Sequence, residues 1–423
     1  MSLRRLVTVV GRRPCRGRRS FTQSSRPADA EVGSSTAAIH ADALGAYDAF
    51  STSADVAPPL SLSTTFTCPK TEGGGHIYSR ISNPTRSRCE TLLGAVEGTP
   101  DSPAHAVLYS SGLAACFAIL SRLLPQRVAI TGGYHGTHQV LQQLRRISGH
   151  ACFESVALPR PAELASTLQH GDVVWLETPV NPSCDVADIE AYTAAARAVG
   201  ARVIVDGTFA PPPLQRPLLL GADAVMHATT KALAGHSDAV GGALCVADAS
   251  LAAELRGDRT ALGSTPGALE VWLLMRSLRT LHLRVERQSR TAAALVAWLD
   301  DAIAVAGEGR QHPLRGLVHA VHHPSLPSHP SHSVAAKQMT GGYGGCFALE
   351  LATEEAARAL PGALRLFRDA TSLGGVESLV EWRRKYDEAI SPKLLRISVG
   401  LEDPEHLIAD LQRAIIAVSQ SHG

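Results

Sequence analysis

Two regimes of hydrophobic patterning divide the chain. In the first, short β-rich apolar runs end in turn residues and alternate with stretches of helical spacing. VLYSSGLAACFAIL, RVAITGGYHG, DVVWLETPVNP, ARVIVDGTFAP and ADAVMHATTK are such runs, and ADIEAYTAAARAVG is one of the helical stretches between them. Strands alternating with helices predict an α/β fold with a mostly parallel central sheet covered on both faces. In such a sheet ligands gather at the carboxyl ends of the strands, where these polar turns fall. The second regime follows LEVWLLMRSLRTLHLRVERQSRTAAALVAWLDDAI, which reads as one long helix joining two domains. After it come a polar loop and further strand and helix segments, a smaller C-terminal α+β domain. The expected division is a leader over residues 1–35, an extended arm over 36–90, a large domain over 91–285 and a small domain over 286–423. The arm is punctuated by Pro, Ser and Gly, as in APPLSLSTTF, and helical spacing resumes at Arg86.

Composition narrows the classes. With 45% hydrophobic and 19% charged residues the chain has material for buried cores, which excludes disorder throughout. A net charge of +1 and only 4% aromatic residues argue against a nucleic-acid partner. No apolar run of 18 residues occurs, so neither a membrane-spanning helix nor a membrane partner is expected. The eight cysteines, with no CxxC pair, read as small buried hydrophobes in a reducing compartment. Residues 1–28 carry eight arginines and no acid, the composition of a mitochondrial transit peptide, so a matrix location is expected, and the cytoplasm otherwise.

Candidate chemistry starts from two residues. One strand delivers Asp206 at its end, and Lys231 follows the next strand among small and hydroxyl residues. A buried lysine at a strand end can lose its charge and act as a nucleophile. A carboxylate held apart from it can keep a pyridine nitrogen protonated. These are the two anchors of pyridoxal phosphate. Taken singly, each residue has an ordinary structural reading. The nucleotide versions of this layout lack support, because neither GxGxxG nor GxxxxGK[ST] is present. His322, His323, His329 and His332 lie close in sequence, but Pro324, Pro327 and Pro330 break any regular ligand geometry, so no metal is expected.

Ten ordered blocks then give the chain a resemblance. They are PPLSLSTTF, YSRISNPT, SSGLAA, YHGTH, ETPVNP, VDGTF, TTKALAGHSDAVGG, LPSHPSH, SLGGVESL and LLRISVGLED. From about Ala38 to Leu411 the chain resembles the transsulfuration (Cys/Met metabolism) family of pyridoxal-phosphate enzymes. The resemblance implies the aspartate-aminotransferase-like fold, fold type I of these enzymes. It also implies roles. Lys231 would carry the cofactor and serve as the mobile base, Asp206 would pair with the ring nitrogen, and Tyr134 would stack on the ring and move protons. Backbone N–H groups of Gly112 and Leu113, with the Thr230 hydroxyl, would hold the phosphate. Tyr78 and Arg80 would reach the phosphate of a neighbouring subunit, making the protein a homo-oligomer, a dimer with shared active sites and by family habit a tetramer. Asn181 would touch the cofactor's 3′ oxygen or the substrate carboxylate. Arg396 would clamp the α-carboxylate, and Ser372 would help position Lys231 or the bound amino acid.

Departures from the family text bear on specificity. Ala228 stands where many members have serine, with Thr229 as a neighbouring hydroxyl. Gly207 stands where many have Asn, His135 enters through YHGT, and Thr371 replaces a glutamate. VEWRRKYDEAISPK lacks the usual His-Pro…Met-Thr-His text. The substrates implied are small amino acids, and the expected reaction is γ-replacement of an O-acylhomoserine by cysteine, as in a cystathionine γ-synthase. The alternatives are cystathionine γ- or β-lyase, O-acetylhomoserine sulfhydrylase, a carbon–carbon bond-forming γ-replacement enzyme, and an inactive homologue.

Overall fold

Each apolar run becomes a strand buried on both faces, as a covered parallel sheet demands. In a computed structural model, residues 34–42, 56–68, 75–304 and 312–421 are described. The expected leader lies almost wholly outside them. Seven strands form the larger sheet: β1 His105–Tyr109, β2 Arg127–Ala129, β3 Glu154–Val156, β4 Val173–Glu177, β5 Arg202–Asp206, β6 Ala224–His227 and β7 Gly242–Val246. Their order is β3-β2-β4-β5-β6-β7-β1. β7 runs antiparallel to both neighbours, and the remaining strands share one direction. GALCV, which no sequence signal set apart from the glycine-rich text before it, is that reversed strand.

Helices of this layer are α1 Ser34–His40, α2 Pro84–Glu97, α3 Gly112–Leu123, α4 His135–Ile147, α5 Leu164–Thr167, α6 Ile189–Val199, α7 Ala249–Leu262 and α8 Ala268–Leu278. α2 begins where Asn83 accepts hydrogen bonds from the Thr85 and Arg86 N–H groups, with Pro84 at the first helical position. It packs on α1, α8 and β1. The arm therefore ends at Asn83, and the expected boundary at residue 90 falls inside a helix of the large layer. Part of the arm is helical as well, in α1.

The long helix is two helices. α8 stops at Leu278, and α9 runs over Leu281–Ala304. The junction is held by the buried Arg284, whose guanidinium donates to the carbonyls of Ser277, Ala232 and Leu233. A polar side chain that takes a helix-end carbonyl leaves no apolar gap in the sequence, so periodicity runs straight through the break. Leu281 and Val285 belong to the core beneath the large sheet, and Ala292, Leu295 and Val296 belong to the second core. The change of core thus takes place inside α9.

The smaller sheet has the order β10-β11-β12-β9-β8. Its strands are β8 Val318–His322, β9 Cys346–Leu351, β10 Arg368–Asp369, β11 Leu379–Trp382 and β12 Leu394–Ser398, with helices α10 His332–Gln338, α11 Glu354–Ala363 and α12 Pro404–Ser421. All pairings are antiparallel except β10 with β11. Of the described cysteines, Cys89, Cys116, Cys184, Cys245 and Cys346 are buried, whereas Cys68 is exposed and Cys152 half-buried.

Candidate active site

The carboxyl ends of β4, β5 and β6 open onto a cleft of about 450 Å³, whose other wall comes from the smaller sheet. Most residues of the expected site line it: Gly112, Leu113, Tyr134, Asn181, Asp206, Thr230, Lys231, Ser372 and Arg396. A larger hollow of about 730 Å³ lies between α1, α2 and the start of β1, and its acid Glu90 is already bonded to Arg256 and Arg259.

At one end of the cleft, Ser111 caps α3 by accepting from the Ala114 N–H. That leaves the Gly112 and Leu113 N–H groups, the first two of the helix, with no acceptor among the described residues. Free N–H groups at the positive end of a helix make an anion site. The loop passes so close to the strand beside it that a Cβ on Gly112 would sit 3.0 Å from the Ala228 side chain. Thr230 faces the cleft, but its hydroxyl donates to the Gly241 carbonyl at 3.3 Å and accepts from the Gly241 N–H at 3.1 Å. Both bonds tie the hydroxyl to Gly241, so the expected bond to a phosphate would exchange the longer of the two. Thr229 offers no substitute for the serine absent at Ala228, because it is buried behind the cleft beside Gly241.

Lys231 donates to the Ser372 hydroxyl at 2.8 Å. Burial and the nearby Arg396 guanidinium hold its amine below the usual lysine range. Ser372 has φ 91°, a left-handed backbone costly for any residue but glycine, and its carbonyl accepts from Arg396 at 2.8 Å. Asp206 is buried at the end of β5, and burial pushes its carboxyl upward against the bonds it accepts from Thr208 and the field of His227. His227 is itself buried, 2.5 Å from Glu97. A Cβ at Gly207 would lie 2.9 Å from the His227 ring, which accounts for glycine at that position.

Glu177, inside ETPVNP but not singled out from the sequence, ends β4. Its two oxygens accept from the N–H groups of Tyr134 at 2.6 Å and Asn181 at 2.8 Å, tying both loops together. Burial and Asp206 push its carboxyl up to about 8. The Tyr134 ring is exposed at the cleft mouth, with the His135 ring 4.6 Å away. Asn181 accepts from Arg396 at 3.2 Å. Glu381, Arg383 and Tyr386 complete the smaller-sheet wall, and none of them was legible as a site residue. The nearest signal was the departure of VEWRRKYDEAISPK from the family text.

Tyr78 and Arg80 do not reach this cleft. Both are exposed, with Arg80 5.5 Å from the Tyr78 ring and donating to the Thr260 carbonyl. The clustered histidines each have a separate structural partner. His322 faces Glu350, His323 bonds Ser325, His329 faces Asp185, and His332 contacts the Pro324 carbonyl. Among the described residues no group of three or more potential ligands could hold a metal, and no helix is long and apolar enough to cross a membrane.

Pyridoxal phosphate fits this set of groups. The open N–H pair suits its phosphate, a buried carboxylate in need of a cationic partner suits its ring nitrogen, and a lysine held toward neutrality suits its aldehyde. The site and the fold are those of a pyridoxal-phosphate enzyme. The Cys/Met metabolism PLP-dependent enzyme model matches residues 35–416, and the chain belongs to that family. It is 37% identical over 402 residues to the cystathionine gamma-synthase of Mycobacterium tuberculosis, covering 90% of this chain and 97% of that one. It is 34% identical to the cystathionine gamma-lyase of Bacillus subtilis, covering 85% and 94%. The crystal structure of metB from Corynebacterium glutamicum superposes with a TM-score of 0.80 at 33% identity, covering 91% and 98%.

Proposed function

We propose that the enzyme catalyses γ-replacement, converting an O-acylhomoserine and cysteine to cystathionine. The observation that carries the cofactor chemistry is the Lys231 amine, bonded to Ser372 and held below the usual lysine range beside the Arg396 guanidinium in a cleft that also fits the cofactor. Identity to a cystathionine gamma-synthase over nearly its whole length supports replacement as the reaction. When bound, pyridoxal phosphate supplies an electron-withdrawing ring that lets the α-proton of an attached amino acid be removed.

The protein's groups do the rest. Lys231 would be the point of attachment, and its Nζ would take the proton from the substrate Cα. Ser372 aims that nitrogen. Asp206 would keep the ring nitrogen protonated, and the Gly112 and Leu113 N–H groups would bind the phosphate. Arg396 and Asn181 orient the α-carboxylate, and Tyr134 covers the site. Over the whole reaction the Cγ–O bond of the ester breaks, the Cγ–S bond forms, and the thiol proton leaves with the departing acid. The exposed positions of Tyr78 and Arg80, outside the cleft of their own chain, fit a dimer in which they serve the neighbouring site. Incubation with O-acetylhomoserine, with and without cysteine, tests the reaction by mass analysis of products. Cystathionine supports it; 2-oxobutyrate alone, with cysteine in excess, marks a lyase.

A further inference from the structure

One stretch of the cleft wall has no part in holding the cofactor. β11 ends at Trp382, and a single turn of 3₁₀ helix, Arg383–Lys385, carries the chain along the cleft. Glu381 presents one oxygen to two guanidiniums at once, Arg396 Nη2 at 2.6 Å and Arg383 Nη1 at 2.9 Å. One carboxylate neutralises one cation, so the trio brings a net positive charge to this wall. Arg396 is otherwise engaged, through Asn181 and the Ser372 carbonyl. Arg383 is not. Its side chain is only 12% exposed, and its Nε is buried without an acceptor. Its Nη2 likewise has no partner among the described residues. Nε and Nη2 together form the edge with which an arginine grips a carboxylate through two parallel bonds. A buried donor without an acceptor is uncommon and calls for a partner, which a side-chain rotation at this cleft-lining residue would let a ligand supply.

We propose that Arg383 is a second carboxylate receptor, reading a negative charge of the substrate pair other than the α-carboxylate held by Arg396. The proposal rests on the replacement reaction above. Two reactants carry such a carboxylate: a homoserine ester whose leaving group is itself acidic, and the incoming cysteine.

The test uses the purified full-length holoenzyme as wild type, Arg383→Met and Arg383→Lys. Each is assayed with O-acetyl- or O-succinylhomoserine, paired with cysteine or with uncharged 2-mercaptoethanol. In Arg383→Met the preference for a carboxylate-bearing reactant over its neutral counterpart falls about 10- to 100-fold, mainly through KM. Arg383→Lys, which keeps the charge without the fork, recovers part of it. A loss that tracks the succinyl group identifies the leaving group as the source, and a loss that tracks cysteine identifies the nucleophile. An equal loss over all four pairings, carried by kcat, means that Arg383 only braces Glu381, and it overturns the proposal, as does no change. Should Arg383→Met fail to fold, Arg383→Lys and Arg383→Gln carry the comparison. If wild type yields 2-oxobutyrate and no thioether product, the replacement reading fails separately. The succinyl-to-acetyl ratio of that elimination then decides for or against Arg383.

Discussion

The two walls of the cleft are built in different ways. On the large-sheet wall the groups arrive singly, at strand ends, helix starts or the turns after strands: Glu177 on β4, Asp206 on β5, Gly112 and Leu113 opening α3, and Lys231 in the turn after β6. On the small-sheet wall the groups are joined to one another. Glu381 and Arg396 sit directly opposite across β11 and β12, and Arg383 and Ser372 attach to that pair. The first arrangement places single groups against a cofactor. The second is a charged network whose members share hydrogen bonds with one another. On the proposed mechanism, reaction chemistry falls to the first wall and recognition of the substrate to the second.

The largest effect should follow from the first wall. Lys231→Ala removes both the attachment point and the base, and kcat should fall by at least about 10³-fold, given that base catalysis alone contributes roughly 10²–10⁴. The check is kcat together with loss of the cofactor's visible absorption band. Arg396→Leu tests the second wall. It removes a charge-assisted clamp and leaves Glu381 with Arg383 alone, so kcat/KM should fall about 100-fold or more. Retention of the cofactor band would separate the two walls, whereas its loss would show that they act as one unit. Smaller again is Arg80→Ala. If the phosphate is shared between subunits, this change outside the chain's own cleft should weaken cofactor binding by roughly tenfold, the worth of one charged hydrogen bond. Spectral titration with the cofactor measures it, and an unchanged affinity would make each cleft self-sufficient.

The same contrast explains what was legible in the sequence. Asp206 and Lys231 could be read because a strand end and its neighbouring residues are local features, and the ordered blocks extended that reading to Tyr134, Asn181 and Arg396. The parallel part of the large sheet was likewise visible in its apolar runs. Arg383 was not, because its partner Glu381 is a near neighbour in sequence whose importance appears only when sheet register sets Arg396 opposite it, and because a turn after β11 brings Arg383 to the cleft. The break at Arg279 and Thr280 was hidden for a similar reason, since Arg284 satisfies the helix end without disturbing the apolar spacing. Thr230 shows the converse: the motif selects the residue, but the direction of its hydroxyl is decided by Gly241.

Glu177 sharpens the comparison by its pH dependence. Its carboxyl is pushed up to about 8 in the folded protein, first by burial and then by Asp206, against the pull of two backbone N–H donors. In the unfolded chain it titrates near 4.5. A raised carboxyl destabilises the fold only where the unfolded chain has lost its proton. The penalty is therefore absent below about pH 4.5, grows as pH rises toward 8 and is complete above it. Lys231 acts in the opposite sense, because its lowered amine penalises the fold at low pH and that penalty fades toward the ordinary lysine range. Glu177→Gln removes the first titration alone. Its amide offers one acceptor oxygen where the carboxylate offered two, so the Tyr134 or the Asn181 N–H loses its partner, at a pH-independent cost of roughly 1–3 kcal/mol. Between pH 5 and 8 the melting temperature of the wild type should fall relative to that of the variant as pH rises, with the variant starting lower. The buried histidines held below their usual range act equally on both curves. Parallel curves would assign the pH dependence to other groups and leave Glu177 a tether for the Tyr134 loop and nothing more.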